Sequence, residues 1–205
     1  AYTAPHTPWL PSPAFRGKSG AGEYGDFVMM VDQEIGRVLA ALQSAGMLDN
    51  TLLVFASDNG PVWYPADAAR FGHDSAGGLR GMKGDAWEGG HRLPFIVRWP
   101  GTVGAGTVSA QTISFTDLLA TMADVAGGAL PAGAGPDSFS FLPALKGGTI
   151  QRAPIVMQSS ANGFMTIRSG RWKLVEGLGS GGLSEPARVT AGPGDPAGQL
   201  YGLWS

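Results

Sequence analysis

Three polar clusters in this 205-residue sequence combine residue types that bind ions. The first is Asp58-Asn59, which follows an apolar run at residues 51–56 after Ser57. A carboxylate beside an amide carbonyl offers the hard oxygen donors that Ca²⁺ or Mg²⁺ takes. The same pair also suits an Asx turn, in which each side chain bonds its own backbone. The second cluster is Lys83 with Glu88 and Arg92. Its ammonium is a point charge suited to a tetrahedral oxyanion, and its charges equally suit a solvated loop pair. The third is a set of histidines. His6 stands among prolines and His73 among glycines, both ordinary surface settings, and His91 sits between Gly90 and Arg92 just before a second apolar run.

Regular elements must position these groups. Phe27, Val28, Val31, Ile35, Val38, Leu39 and Leu42 fall on one face of a 3.6-residue period, which predicts an amphipathic helix. Gly46 stands where a glycine closes such a helix. The run TLLVFA at 51–56 reads as a strand covered on both faces, the αβ half of a parallel unit. Side chains beyond the carboxyl end of such a strand lie where α/β sheets form sites, and Asp58-Asn59 is there. Residues 61–90 read as a long polar loop, 93–99 as a second buried strand, and 115–126 as a second amphipathic helix opened by Ser114 or Thr116. Residues 164–168 and 171–175 flank Ser169-Gly170 as a hairpin, with a further short strand at 155–158. The glycine-rich stretches 177–182 and 191–198 read as flexible. The change of pattern near residue 150 predicts two domains, an α/β part over 1–150 and a small α+β part over 151–205.

Composition narrows the function classes. Net charge is −2 and charged residues make up 15%, so no basic stripe for nucleic acid is present. The absence of cysteine excludes disulfides, zinc–thiolate sites and thiol catalysis from these residues. No apolar run approaches the ~18 residues of a membrane span, and residues 1–15 lack a basic segment followed by an apolar one. Gly17-Lys18-Ser19 and the run 177–182 resemble phosphate loops, but neither has the strand and helix that such a loop requires.

The order of motifs over more than 170 residues is more specific than any one of them. Pro5-His6-Thr7-Pro8 and Tyr24-Gly25-Asp26 are followed by Ser57-Asp58-Asn59-Gly60-Pro61 and Leu79-Arg80-Gly81-Met82-Lys83-Gly84. Trp87-Glu88-Gly89-Gly90-His91-Arg92, Trp99-Pro100-Gly101, Gly170-Arg171-Trp172-Lys173-Leu174 and Leu200-Tyr201 complete the series. In this order and spacing the sequence resembles the C-terminal half of the sulfatases, the arylsulfatase family of the alkaline-phosphatase-like superfamily.

The resemblance implies an α/β fold. It would be part of an alkaline-phosphatase-like sandwich with a mostly parallel sheet and flanking helices, plus a small C-terminal antiparallel sheet. It implies Asp58 and Asn59 as ligands of Ca²⁺ (or Mg²⁺), Lys83 as a sulfate-binding catalytic residue, and His6 near the sulfate and leaving group. His73 would reach the substrate from a loop that varies in length. Glu88, Gly89 and Gly90 would shape the loop rather than act on substrate. The implied substrate is a small sulfate ester or a sulfated glycan, and the location periplasmic or secreted.

Two departures matter. The formylglycine nucleophile of this family arises in Cys/Ser-x-Pro-x-Arg, a pattern this sequence lacks; Ser12-Pro13-Ala14-Phe15-Arg16 has its proline one place early. The paired aspartates of the metal site are absent too. The expectation is therefore a fragment, inactive alone, whose partner is the missing N-terminal half of the same enzyme. A phosphonate or phosphate monoester hydrolase of the same superfamily, and a non-catalytic anion- or glycan-binding relic, are the alternatives.

Overall fold

The computed structural model describes residues 1–203. The chain forms two compact units, one from residues 1–51 and 61–78, the other from residues 52–60 and from 79 onward.

The first unit is built on helix α1, Gly22–Ser44. Its C-terminus closes as a Schellman motif: Met47 N donates to Leu42 O (2.9 Å), Gly46 N donates to Gln43 O (3.0 Å), and Gly46 has φ 66°. The start of α1 is tied to the preceding loop by Asp26. Its carboxylate accepts from Gly17 N (2.6 Å), Lys18 N (3.0 Å) and Ser19 N (2.8 Å). Those backbone donors, Ser19 foremost, hold the Asp26 carboxyl below its usual range. Helix α2, Pro65–Phe71, breaks what the sequence presents as a structureless loop. Trp63 makes ring contacts with Trp9, Tyr24, Phe71 and His73, a small aromatic core beneath α1 and α2.

The second unit contains two sheets. Strands β1, Leu53–Ala56, and β2, Phe95–Arg98, pair with each other, and the pairing is antiparallel. The α/β class stands, but no parallel pair occurs among the described residues. An apolar run reports that faces are covered; it does not report the direction of the hydrogen-bonded neighbour. The short helix α3, Glu88–His91, precedes β2. Helix α4, Asp117–Val125, begins where Asp117 accepts from Ser114 N (2.8 Å) and Phe139 N (3.1 Å), and α5, Leu142–Leu145, follows. Thr116 stands at the N-cap position of α4 without a side-chain cap bond, and the Asp117 carboxylate reaches back to the preceding loop instead.

The second sheet runs β3-β4-β5-β6, all antiparallel: Ile155–Gln158, Met165–Ser169, Trp172–Val175 and Gln199–Gly202. The predicted hairpin forms, but its turn lies one residue later: Ser169 pairs with Trp172, so Gly170-Arg171 makes the two-residue turn, with Gly170 at φ 53°. One face carries Thr166, Lys173 and Val175, each under 3% exposed, and packs with Phe164 and Ala86. The other face presents Val156, Ile167, Leu174 and Leu200 as one cross-strand row, each at least 40% exposed. The run 177–182, which composition reads as flexible, is instead hydrogen-bonded, with residues 179–182 buried. Ser180 is fully buried, and its carbonyl accepts from Ala86 N. No described helix is long and apolar enough to cross a membrane.

Candidate active site

Lys83 sits at the tip of a turn that its neighbours specify closely. Asp85 N donates to Met82 O (3.0 Å), and Gly84, the third residue of the turn, has φ 85°. That combination is the signature of a type II turn with glycine at its obligatory position. The Asp85 side chain closes the turn a second time, with Oδ2 accepting from Met82 N (2.8 Å). Lys83 itself is half-buried, between Met82 and Gly84, in a segment whose remaining residues 85–90 are all buried.

Asp58 and Asn59 lie just past the end of β1, as the sequence predicts. Asp58 is exposed and Asn59 half-buried. Asn59 Nδ2 donates to Gly60 O (2.9 Å), leaving its side-chain carbonyl oxygen available beside the Asp58 carboxylate. The donor chemistry fits a hard cation. Two oxygens are fewer than the six to eight that Ca²⁺ takes, and no cluster of three or more His, Cys, Asp or Glu able to hold a metal occurs among the described residues.

The structure joins these two loops backbone to backbone. Gly60 N donates to Gly90 O (3.1 Å), and Gly89 N donates to Arg80 O (2.8 Å). A Cβ on Gly60 would lie 1.8 Å from Gly89 O, and one on Gly89 would lie 2.1 Å from Gly81 O. Only glycines permit this approach, so the Gly89-Gly90 pair shapes the loop as its spacing suggests. Asp58, Asn59 and Lys83 are therefore carried on adjoining segments of one unit.

Glu88 does not pair with Lys83 or Arg92. Its two oxygens bond Lys173 Nζ (2.9 Å) and Arg168 Nη1 (3.0 Å) from β5 and β4. Burial pushes the Lys173 ammonium below its usual range, against the pull of Glu88. His91 is pushed down to about 4, first by burial and then by the Lys173 charge. Its Nε2 is buried without a partner, so it is a neutral interior side chain at ordinary pH.

His6 and His73 belong to the first unit, and both are exposed. His6 Nδ1 lies 2.7 Å from Thr7 O. A carbonyl only accepts, so that nitrogen carries the proton and Nε2 is the one left to exchange a proton. His73 packs edge-on against Trp63 (5.8 Å between centroids), and its carbonyl accepts from Trp63 Nε1 (2.7 Å).

Sequence reasoning missed two residues of this region. Asp85 is wholly buried, and its Oδ1 also accepts from Leu183 N (2.7 Å) and Ser184 N (3.0 Å). Arg80 stacks 3.7 Å over Trp87 and donates from Nη1 to Tyr201 Oη (3.1 Å). The Asp85 signal was local, a carboxylate three residues after Met82 with a glycine between. Its long-range partners left no mark in the sequence.

A sequence model of the sulfatase family matches residues 1–129. An N-acetylgalactosamine-6-O-sulfatase of Bacteroides thetaiotaomicron is 37% identical over 203 residues, covering 97% of this chain and 39% of the relative. A solved structure from the same organism, described with its metabolism of multiple glycosaminoglycans, superimposes with a TM-score of 0.82 at 36% identity, over 97% of this chain and 42% of the other. The phosphonate monoester hydrolase of Agrobacterium radiobacter superimposes less fully, with a TM-score of 0.53 at 25% identity over 75% of this chain and 32% of the other. The chain thus spans about two fifths of the length of these two sulfatase relatives. With a fold of the alkaline-phosphatase-like type and a family match over most of its length, this chain belongs to the sulfatase family.

Proposed function

We propose that this chain is part of a sulfuric-ester hydrolase, to which it contributes an oxyanion-binding lysine, a histidine and two oxygen ligands of a divalent-cation site. One observation carries the reading: the Asp58-Asn59 step and the Lys83 turn are locked together through Gly60, Gly81 and Gly89. Cation-binding and anion-binding chemistry thereby stand on adjoining loops.

Asp58 and Asn59 would hold Ca²⁺ or Mg²⁺, which when bound would polarise the ester and offset charge on its oxygens. The Lys83 ammonium, on a turn fixed at both flanks, neutralises the non-bridging oxygens of the sulfo group with little reorganisation. His6, with Nδ1 committed to Thr7 O, presents Nε2 as the nitrogen that gives a proton to the departing oxygen. His73, by the family resemblance, would be a further substrate contact. The nucleophile, a formylglycine, would come from outside these residues, in the remainder of the same enzyme; the 205-residue chain alone would bind sulfate without turning over an ester.

The substrate class we favour is a sulfated saccharide, because the amino-sugar sulfatase relative aligns with 97% of the chain. A periplasmic or secreted location belongs to the same reading. The weaker superposition on a phosphonate monoester hydrolase makes phosphoester chemistry the second choice. Binding of N-acetylgalactosamine 6-sulfate and its 6-phosphate analogue to the chain, measured side by side by calorimetry with Ca²⁺ present, separates the two. Tighter binding of the sulfate is expected. A preference for the phosphate would favour the phosphoester reading, and no binding of either would contradict both.

A further inference from the structure

The segment that carries Lys83 is held mainly by the far end of the chain. Gly84 O accepts from Ser160 N (2.9 Å), Ala86 N donates to Ser180 O (2.6 Å), and Trp87 Nε1 donates to Gln199 Oε1 (3.2 Å). Glu88 is gripped by Arg168 and Lys173. Nearest to Lys83 stands Asp85, fully buried, with one oxygen on Met82 N and the other on Leu183 N and Ser184 N. A Cβ on Gly182 would lie 2.3 Å from Gly84 O, so the two segments are in backbone contact.

We infer that Asp85 is the positioning residue for Lys83: its carboxylate couples the lysine turn to the 182–184 segment and so sets where the ammonium meets an oxyanion. The inference rests on Lys83 being the oxyanion-binding group proposed above. A buried carboxylate that accepts three backbone N–H bonds fixes three points at once, and these charge-assisted bonds are roughly twice as strong as neutral ones. Lys83 is a flexible side chain, so the order of its Cα is what the protein controls. Met82 N on one flank and Gly84 O on the other are both tied down. Lys83 therefore searches for an anion from a fixed root, which lowers the ordering cost of binding.

Asp85→Asn isolates the coupling. The amide oxygen still accepts from Leu183 and Ser184, whereas its NH₂ faces the Met82 N–H and cannot accept from it. The test is a titration of the ¹⁵N-labelled 205-residue chain with sodium sulfate at constant ionic strength, followed at the backbone amide resonances of positions 82–84, with amide exchange read at Met82. Wild type, Asp85→Asn and Lys83→Met are compared. The expected result is unchanged amide positions in β3–β6, faster exchange at Met82 and a sulfate Kd about ten-fold or more higher in Asp85→Asn. Faster exchange at Met82 with an unaltered Kd would overturn the inference, because the contact would then be structural only. Equal sulfate affinity in wild type and Lys83→Met would overturn the functional reading and this inference with it; the comparison of those two proteins, without Asp85→Asn, identifies that case. If Asp85→Asn does not fold, Gly84→Ala opens the same turn, since it places an L residue at φ 85° with its Cβ 2.4 Å from Ser160 Oγ. It is expected to weaken sulfate binding similarly, and an unchanged Kd there would equally contradict the role assigned to the turn.

Discussion

Lys173 Nζ lies 2.9 Å from Glu88 Oε1, and the lysine side chain is 1% exposed. This pair joins the C-terminal sheet to the segment bearing Lys83, with Arg168 completing a three-residue group at 3.0 Å. The desolvation that lowers the Lys173 pKa is the cost of placing the ammonium there, and Glu88 offsets it. Lys173→Met should destabilise the chain by about 3–5 kcal/mol, because it leaves Glu88 buried with one partner. Adding Glu88→Gln should restore most of that loss, since a neutral amide no longer needs the ammonium. Urea unfolding of the two variants checks both statements; a double variant no better than the single one would contradict them.

Stability should depend on pH through His91. In the unfolded chain this histidine titrates near 6.5, and in the fold burial and Lys173 hold it at about 4, against the opposing charges of Glu88 and Asp85. Between those values the unfolded state binds a proton that the folded state does not, so stability rises with pH across the window and is fully present above it. The contribution lost on descending from pH 7 to pH 4 is about 3 kcal/mol. Replacing His91 with Leu should flatten this part of the profile, as measured by denaturant midpoints at a series of pH values. An identical slope in wild type and variant would place the pH dependence elsewhere.

Two glycines of similar appearance should respond oppositely to alanine. At Gly60 an added methyl meets Gly89 O at 1.8 Å, backbone against backbone, and nothing there can yield cheaply. Gly60→Ala should therefore cost several kcal/mol or prevent folding, by forcing apart the loops that carry Asp58 and Lys83. Gly36, inside α1, has nothing within 4 Å of the built Cβ. Gly36→Ala should raise stability by up to about 1 kcal/mol through helix propensity. Thermal melts of both proteins decide the matter.

Periodic features were legible in the sequence and tertiary ones were not. The spacing of Val31, Ile35 and Leu42, with Gly46 beyond, marks α1 and its close, because a 3.6-residue period and a C-terminal glycine are local properties. The β4–β5 hairpin is legible for the same reason, although its turn is Gly170-Arg171, one residue beyond the predicted pair. The antiparallel β1–β2 pair is not, since its strands are separated by residues 57–94 and pairing direction depends on the path between them. Nor is the run 177–182, because glycine serves loose loops and tight backbone approach alike; here Gly182 passes against Gly84 O. Asp58, Asn59 and Lys83 are candidates through the resemblance of their motifs to the sulfatases. That Asp85 holds Leu183 and Ser184 across a sequence gap of almost 100 residues could not be read there.

The most direct measurement is a calorimetric titration of sodium sulfate into the wild-type chain and into Lys83→Met, at matched ionic strength. Saturable binding by wild type that is lost or weakened at least ten-fold in Lys83→Met is the predicted result, the size expected for a charge-assisted contact to an oxyanion. Binding of equal strength in both proteins would contradict the assignment of Lys83 as the group that receives the sulfate.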